Sequence, residues 1–470
     1  MADLRGRRVL VAGAGTSGVS AARALLGLGA SVTVVDRAAS ERTAALSAAG
    51  AIVVLGADAP PAGTDLVVTS PGWRPDAALL AAAAATGIEV IGEVELAWRL
   101  RGPDPAPWLA LTGTNGKTTT VRMLEAMLCA AGLRAVATGN VGLPVVDAVL
   151  AAPAYDVLAV ELSSFQLHWS PSVRPLAAAI LNLAPDHLDW HGGFDGYAAA
   201  KARVYAGEPI AVYNADDPLV AALAGGSARR VGFTLHEPRP GQLGVRDGVL
   251  LDRAFGPAAG PAGLAGAGPD VAVELAAVAD ILPDGPPALP HQVANALAAA
   301  ALARGYGVPP AAVRAGLRGF VPERHRNTPV AAVGGVSYVD DSKATNPHAA
   351  AASLAGYPRV VWVAGGLLKG APVDDLVASV RPRLAGAVLL GADRAAIRAA
   401  IGRHAPDLPV VEVSRTDHEA MGEAVRAAAG LAQPGDTVLL APAAASMDMF
   451  TDYAARGDAF AAAVRALESP

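Results

Sequence analysis

A single stretch, Leu109 to Leu124 within W-L-A-L-T-G-T-N-G-K-T-T-T-V-R-M-L, limits the fold more than any other part of the 470-residue sequence. An uncharged apolar run meets Gly113-Thr-Asn-Gly116 and then Lys117-Thr-Thr119, so a buried strand has to turn sharply and restart as a helix. Backbone N–H groups of the turn from Gly113 to Thr118, with the helix start behind them, form a nest for phosphate oxygens. Lys117 adds a positive charge, and the Thr118 hydroxyl is a candidate Mg2+ ligand. The strict phosphate-loop pattern has glycine where this chain has Leu111, so the loop is a variant. An ordinary turn rich in glycine and asparagine is the alternative, and it leaves Gly-Lys-Thr-Thr at a helix start unexplained.

At roughly 150 residues per domain, a chain of this length holds about three domains. Hydrophobic residues make up 53% of it but aromatics only 4%, because alanine supplies much of the apolar surface. Small side chains let helices lie close on sheets, which suits α/β layers. The net charge of −6, from 37 basic and 43 acidic residues, gives no broad basic face for nucleic acid or an anionic membrane. An anionic substrate must therefore be held by local N–H groups and a few placed cations. The single cysteine, Cys129, excludes an internal disulfide and fits a reducing cytoplasm; on the helix after the phosphate loop it is expected to pack rather than to act as a nucleophile. The N-terminus enters a strand at once, without the charged and apolar regions of a secretory signal. Every apolar run is broken before the ~18 residues of a membrane span. A soluble, cytoplasmic protein is the expectation.

Taken in order, Arg8 to Ala12 is a buried parallel strand, Gly13-Ala-Gly15-Thr-Ser-Gly18 a turn into a helix, and Ser31 to Val35 a second strand ending at Asp36. This matches the dinucleotide fingerprint and alone suggests NAD, although its glycines show only that a diphosphate can approach the first helix. Asp65 to Thr69 is a further strand, followed by the turn Ser70-Pro71-Gly72 at the edge where such sheets bind ligands. The proline-rich run from Arg101 to Pro107 marks a first boundary. After the phosphate loop, a strand from Val157 to Val160 ends in Glu161-Leu-Ser-Ser-Phe-Gln166, and one from Ala177 to Leu181 ends in Asn182-Leu-Ala-Pro-Asp-His187-Leu-Asp-Trp-His191. Two carboxylates and two imidazoles within a few residues make a composition able to bind a metal. A helix from about Phe194 carries Lys201, which at an unremarkable position is solvated surface. Phe255 to Pro269 is a Gly/Pro/Ala loop without chemistry, and Pro283 to Pro290 breaks the chain before a helix near His291. Strands at Ser337 to Val339, Val360 to Ala364, Ala387 to Leu390 and Thr437 to Leu440, with helices between them, predict another doubly wound sheet from about Pro322 on.

Thr112-Gly-Thr-Asn-Gly-Lys-Thr-Thr119, Gly139-Asn140-Val-Gly142, Glu161-Leu-Ser-Ser-Phe-Gln166 and Asn182 to His187 together resemble the Mur ligases of peptidoglycan synthesis and their folylpolyglutamate synthase relatives. Asp341-Ser-Lys-Ala-Thr-Asn346, Ala443-Ala-Ala-Ser446-Met-Asp-Met-Phe450 and the N-terminal sheet are similar to the branch of that family that adds D-glutamate. The resemblance implies three α/β domains: an N-terminal Rossmann-like sheet for the UDP substrate (1–104), a central P-loop ATPase sheet (105–321) and a C-terminal Rossmann-like sheet for the amino acid (322–470). It implies a monomer acting on ATP, UDP-N-acetylmuramoyl-L-alanine and D-glutamate. ATP phosphorylates the acceptor carboxylate, and the amine then attacks the acyl phosphate through a tetrahedral intermediate. A carboxylate is a poor electrophile until phosphate gives it a leaving group, so the enzyme's task is to gather and neutralise anions.

Carried over residue by residue, the resemblance places Lys117 and the backbone of Gly113, Thr114, Asn115 and Gly116 on the β- and γ-phosphates, with Thr118 and Thr119 at the helix start. Thr118 and Glu161 hold a first Mg2+, and His187 a second that bridges the γ-phosphate and the acceptor carboxylate. Lys201 matches a family lysine that carries a carbamate derived from CO2. An ammonium repels a metal, whereas a carbamate offers it an anionic oxygen. Lys117, His187 and Lys201 are thus the catalytic set, while Asp186, Asp189 and His191 stay surface or supporting groups. Asn295 meets the adenine, Arg324 the γ-phosphate and Asp341 the ribose, which implies that the third domain closes over the second about a hinge near Pro322. The uridine diphosphate lies near Thr16, Ser17, Asp36, Arg37, Ser70, Pro71, Gly72 and Asn140. Selection of D-glutamate falls to Lys343, Thr345, Lys369, Ser446 and Tyr453, donors able to fix two carboxylates and leave the amine free.

Leu367 stands where many family members have an acidic residue, and Tyr453 where phenylalanine is common. Both bear on the amino-acid pocket and neither on the phosphate chemistry. An NAD-dependent oxidoreductase, the rival that Gly13 to Gly18 with Asp36 suggests, leaves the second phosphate loop and the Glu161/His187 pair without a role. A ligase for another amino acid is disfavoured by Lys343-Ala-Thr-Asn346, and a silent nucleotide-binding protein predicts no turnover.

Overall fold

The computed structural model describes residues 4–256, 272–283, 285–417 and 419–467. Most of the Gly/Pro/Ala run expected between Phe255 and Pro269, and one position of the Pro283 to Pro290 break, lie outside the described residues.

Strands β1 (Arg8–Ala12), β2 (Ser31–Asp36), β3 (Ile52–Leu55), β4 (Leu66–Thr69) and β5 (Val90–Gly92) form a parallel sheet in the order β3-β2-β1-β4-β5. Valine and leucine runs such as Val9-Leu-Val-Ala12 are buried on both faces because helices cover both, the usual state of a parallel sheet. Sequence order reverses between β1 and β4, so the turns after them open the crevice where such sheets take ligands.

The second sheet holds β6 (Trp108–Thr112), β7 (Ala135–Gly139), β8 (Val157–Glu161), β9 (Ala177–Ile180), β10 (Ile210–Asn214), β11 (Arg230–Phe233), β12 (Gln242–Arg246), β13 (Val249–Asp252) and β14 (Val273–Ala277), ordered β14-β13-β12-β11-β10-β9-β6-β8-β7. Its register decides where the chemistry sits. Leu111 of β6 pairs with Glu161 of β8 on one side and Ala179 of β9 on the other, so the loop leaving β6 emerges between the Glu161 and Asn182 segments. Strands β12 to β14 extend one side of the sheet, β12 parallel to β11 and the β12–β13 and β13–β14 pairs antiparallel, and the sequence patterning did not announce them.

These two sheets belong to one compact unit. The Glu93–Leu100 helix after β5 reaches into the second sheet's surroundings with two buried carboxylates. Glu93 accepts from the Val146 N–H at 2.7 Å, and Glu95 from the Ser172 N–H and hydroxyl. Ser20 donates to Asp147 (2.7 Å), and the Gly92 N–H to the Trp169 carbonyl (2.9 Å). The proline-rich segment from Arg101 to Pro107 is pinned at its start, where the Arg101 guanidinium lies 3.0 Å from the centre of the Trp98 ring.

A second unit carries the third sheet. Its strands β15 (Thr328–Val333), β16 (Val336–Asp340), β17 (Val360–Gly365), β18 (Leu384–Leu390), β19 (Val410–Glu412) and β20 (Thr437–Leu440) are ordered β15-β16-β20-β17-β18-β19, parallel except for β15. The carboxyl ends of β16, β20 and β17 therefore lie side by side. Among the described residues no helix is long and apolar enough to cross a membrane.

Candidate active site

Gly116 holds the phosphate loop in a conformation that other residues resist. Its φ is +83°, and the space a side chain would fill is taken by the Asn295 amide oxygen. Asn295 is buried on the Pro290–Tyr306 helix, so the loop and this residue meet as one site. The Lys117–Ala130 helix begins directly after Gly116, with Thr118 and Thr119 in its first turn. Lys117 folds back over the loop and donates to the Gly113 and Thr114 carbonyls at 3.0 and 2.8 Å.

The nest differs from the sequence expectation in one respect. The N–H groups of Thr114 and Asn115 donate to the Asn182 carbonyl and side-chain oxygen (3.1 and 2.9 Å), while the Asn182 amide donates back to the Asn115 carbonyl (3.1 Å). These two N–H groups brace the loop and are engaged within the protein. Asn182 opens the Asn182 to His187 motif, but its bracing role appears only in the fold, where it lies across from the loop. Tyr197 was missed altogether. It lies four residues before Lys201, hence on the same helix face, and its hydroxyl is 2.9 Å from Thr114 Oγ1.

Lys201 is almost fully buried, 2% exposed, beneath the loop. Its Nζ donates to the Gly113 carbonyl (2.8 Å) and Thr112 Oγ1 (3.3 Å) and stands 4.7 Å from the Tyr197 ring centre. Glu161 is buried at the end of β8 and accepts from Asn140 Nδ2 at 2.8 Å through one oxygen. Its other oxygen, Oε2, is buried without a hydrogen-bond partner. Such an oxygen is costly to bury unless a cation satisfies it, and a hard divalent ion suits a carboxylate; the residues present fit Mg2+.

His187, exposed and with φ +52°, opens the short Leu188–His191 helix with its ring 4.7 Å from that of Phe165. Asp189 pairs with Arg74 at 3.6 Å, and His191 Nε2 lies 2.9 Å from Ser164 Oγ. Burial, reinforced by neighbouring cationic groups, lowers the His191 pKa to about 4, so this imidazole is neutral. Among the described residues no cluster of three or more His, Cys, Asp or Glu side chains could hold a metal; the local abundance of carboxylates and imidazoles does not build one by itself. A cavity of about 470 Å3 opens beside these groups, lined by Arg74, His168, Trp190, His191 and Arg203 among others. Cys129 departs from expectation: it is exposed on its helix, its thiol 3.9 Å from the Ala135 carbonyl, so packing does not explain it.

On the first sheet Gly13 has φ +94°, and a side chain there would strike Ser70 Oγ. The turn carrying Thr16 and Ser17 thus lies against the turn of Ser70, Pro71 and Gly72. Asp36 is spent locally: its oxygens accept from the Ala14 and Arg37 N–H groups, both at 2.6 Å, and the Arg37 side chain is exposed.

In the second unit, Lys343 Nζ lies 3.7 Å from the centre of the Tyr453 ring. Leu367 exchanges backbone hydrogen bonds with Ala445 at 2.8 and 2.9 Å, so the loop bearing Lys369 is laced to the loop bearing Ser446. Thr345 follows Lys343 in a tight turn. Asp341 is buried and accepts from Asn327; burial lifts its pKa to about 6. Arg324 is exposed and 2.5 Å from Asp458.

Three family models match consecutive stretches: the Mur ligase MurD-like N-terminal domain over residues 7–92, the Mur ligase middle domain over 111–238 and the Mur ligase glutamate ligase domain over 325–444. The chain is 62% identical to the UDP-N-acetylmuramoylalanine–D-glutamate ligase of Thermobifida fusca, over 99% of both chains. It is 58% identical to the protein of that name from Streptomyces avermitilis, covering 99% of this chain and 100% of the other. Among solved structures, the UDP-N-acetylmuramate-alanine ligase MurC of Thermotoga maritima shares the fold, with a TM-score of 0.57, 18% identity, and 98% and 99% of the two chains covered. Matched over all three sheets and along nearly its whole length, the chain belongs to the Mur ligase family.

Proposed function

We propose that this chain is an ATP-dependent, ADP-forming amide ligase that joins D-glutamate to UDP-N-acetylmuramoyl-L-alanine in peptidoglycan precursor synthesis. One observation carries the reading: likeness to ligases so named runs over 99% of the chain, so every element described above falls within it. The Lys117 charge and the N–H groups at the start of its helix would hold the β- and γ-phosphates, giving up the contacts Lys117 makes with the loop carbonyls. The acceptor carboxylate attacks the γ-phosphorus, ADP leaves, and the D-glutamate amine attacks the acyl carbon. A tetrahedral intermediate collapses with loss of phosphate.

Bound Mg2+ would neutralise phosphate and carboxylate as they approach, and Glu161, Thr118, His187 and Lys201 are the residues we assign to two such ions. The partnerless Glu161 Oε2 supports the first of these assignments. For Lys201 we propose a carbamate, because a buried ammonium at this place adds a positive charge where cations must bind. Asn295, Arg324 and Asp341 keep the nucleotide roles that the resemblance gives them. Thr16, Ser17, Asp36, Arg37, Ser70 to Gly72 and Asn140 keep the UDP roles, and the domain limits 1–104, 105–321 and 322–470 are proposed on the same ground.

ADP formation with ATP, Mg2+, the UDP-linked acceptor and single amino acids tests the reading. Turnover is expected with D-glutamate; release of ADP with L-lysine or L-alanine but not with D-glutamate would reject it. Lys201→Ala is expected to lose most activity, at least ~100-fold, and to regain part of it with short carboxylic acids that stand in for the carbamate. Full activity in that variant removes the carbamate.

A further inference from the structure

Three loops leave the adjacent carboxyl ends of β16, β17 and β20, and one guanidinium lies among them. Arg456, on the Tyr453–Ala466 helix, is 1% exposed. Its Nε donates to Ser342 Oγ at 3.0 Å and its Nη2 to the Ser342 carbonyl at 2.8 Å, on the loop after β16. Its Nη1 donates to the Ala444 carbonyl at 3.0 Å, after β20, and reaches the Gly365 carbonyl, at the end of β17, at 3.4 Å. The Ser342 hydroxyl passes the connection on by donating to the Tyr453 carbonyl at 2.7 Å.

All these acceptors are neutral. Burying a guanidinium costs several kcal/mol, and carbonyl and hydroxyl acceptors return less than a bound carboxylate. Burial accordingly draws the Arg456 pKa down to about 10. Other contacts link the loops two at a time: the Ala443 N–H with the Ala344 carbonyl, and Leu367 with Ala445. The Arg456 fork touches all three. Lys343 follows Ser342 directly, Lys369 lies four residues beyond Gly365, and Ser446 two beyond Ala444, so each loop so held carries a residue assigned to the amino acid.

We infer that Arg456 is a positioning residue for the amino-acid substrate, fixing in one arrangement the three loops that carry Lys343, Lys369 and Ser446. The inference rests on the D-glutamate reading above. A planar five-donor fork reaches acceptors on three loops from three separate nitrogens, whereas a lysine gathers its donors on a single nitrogen.

The test is steady-state ADP formation by the full-length protein with saturating MgATP and acceptor and varied D-glutamate. In Arg456→Lys the KM for D-glutamate is expected to rise roughly tenfold or more, with the KM for ATP and for the acceptor within about twofold of wild type. A purely structural role lowers the folded fraction, which reduces kcat and leaves every KM unchanged; that outcome, or an unchanged KM for D-glutamate, overturns the inference. If Arg456→Lys does not fold, Ser342→Ala decides. It removes the hydroxyl that joins Arg456 to Tyr453 without disturbing a charge, and its D-glutamate KM should rise about threefold, an unchanged value counting against the role. Absence of D-glutamate-dependent ADP from the wild-type chain overturns the substrate reading and this role with it, whereas turnover by wild type with unmoved variants overturns the role alone.

Discussion

At the scale of single residues, Gly116 is where backbone conformation and chemistry meet. Any other residue at φ +83° pays about 1–2 kcal/mol for the left-handed conformation, and its Cβ would also displace Asn295. The loop would shift by a fraction of an ångström to an ångström, and misplacement on that scale costs about 100-fold in a reaction that depends on positioning. Gly116→Ala is therefore expected to lose roughly 100-fold in kcat/KM for ATP while its melting temperature falls by only a few degrees. Wild-type kinetics in the alanine variant would mean that the loop does not hold the triphosphate. The glycine was legible in the sequence because Gly-Lys-Thr at a helix start has few other uses. Asn182 and Tyr197 were not, because a brace is defined by what lies across from it. The sequence gives no hint that the Thr114 hydroxyl finds a tyrosine 83 positions later.

At the scale of elements, the fully buried central strands were legible, whereas the antiparallel strands and several parallel ones nearer the sheet edges, such as Ile52–Leu55 and Val410–Glu412, were not. Val9-Leu-Val-Ala12 or Val438-Leu-Leu440 has to be buried on both faces, which leaves little freedom of assignment. Strands β12 to β15 lie at or near sheet edges, mix polar with apolar residues, and take their identity from the neighbour they pair with. The Glu93–Leu100 helix shows the same limit, since its two glutamates look like a solvated first turn but are buried against the second sheet. Glu93, 2% exposed, has one oxygen on the Val146 N–H and the other without a partner, and burial lifts its pKa from 4.5 to about 7. A folded-state pKa above the unfolded one means that the folded chain binds the extra proton. The associated stability is present below pH 4.5 and is lost as pH rises through 7, on the order of 3 kcal/mol in all. Glu93→Gln keeps an oxygen for Val146 and cannot ionise. Its melting temperature is expected to fall less than that of wild type between about pH 5 and pH 8, as followed by scanning calorimetry; parallel curves for the two proteins would mean that Glu93 is not protonated in the fold.

At the scale of the whole molecule, the sequence marks two boundaries, at Arg101 to Pro107 and near Pro322. Around the first, Val94, Leu96, Leu100, Trp108, Val145 and Val146 share one buried cluster, and the carboxylates of Glu93 and Glu95 accept hydrogen bonds from residues of the second sheet's surroundings. A proline count cannot reveal a strap across a shared core, because that depends on which faces the neighbouring helices bury. Uncovering Val94, Leu96 and Leu100 would cost about 1.5–3 kcal/mol each, a sum comparable to the roughly 5–15 kcal/mol that stabilises a typical domain. A chain cut after Phe320 is accordingly expected to fold and to melt in one cooperative transition, whereas a chain cut after Asp104 should lack near-ultraviolet circular dichroism and a calorimetric peak. A folded, cooperative 1–104 fragment, or two separable transitions in 1–320, would show that the first sheet is stable without its neighbour and that the buried glutamates fasten nothing.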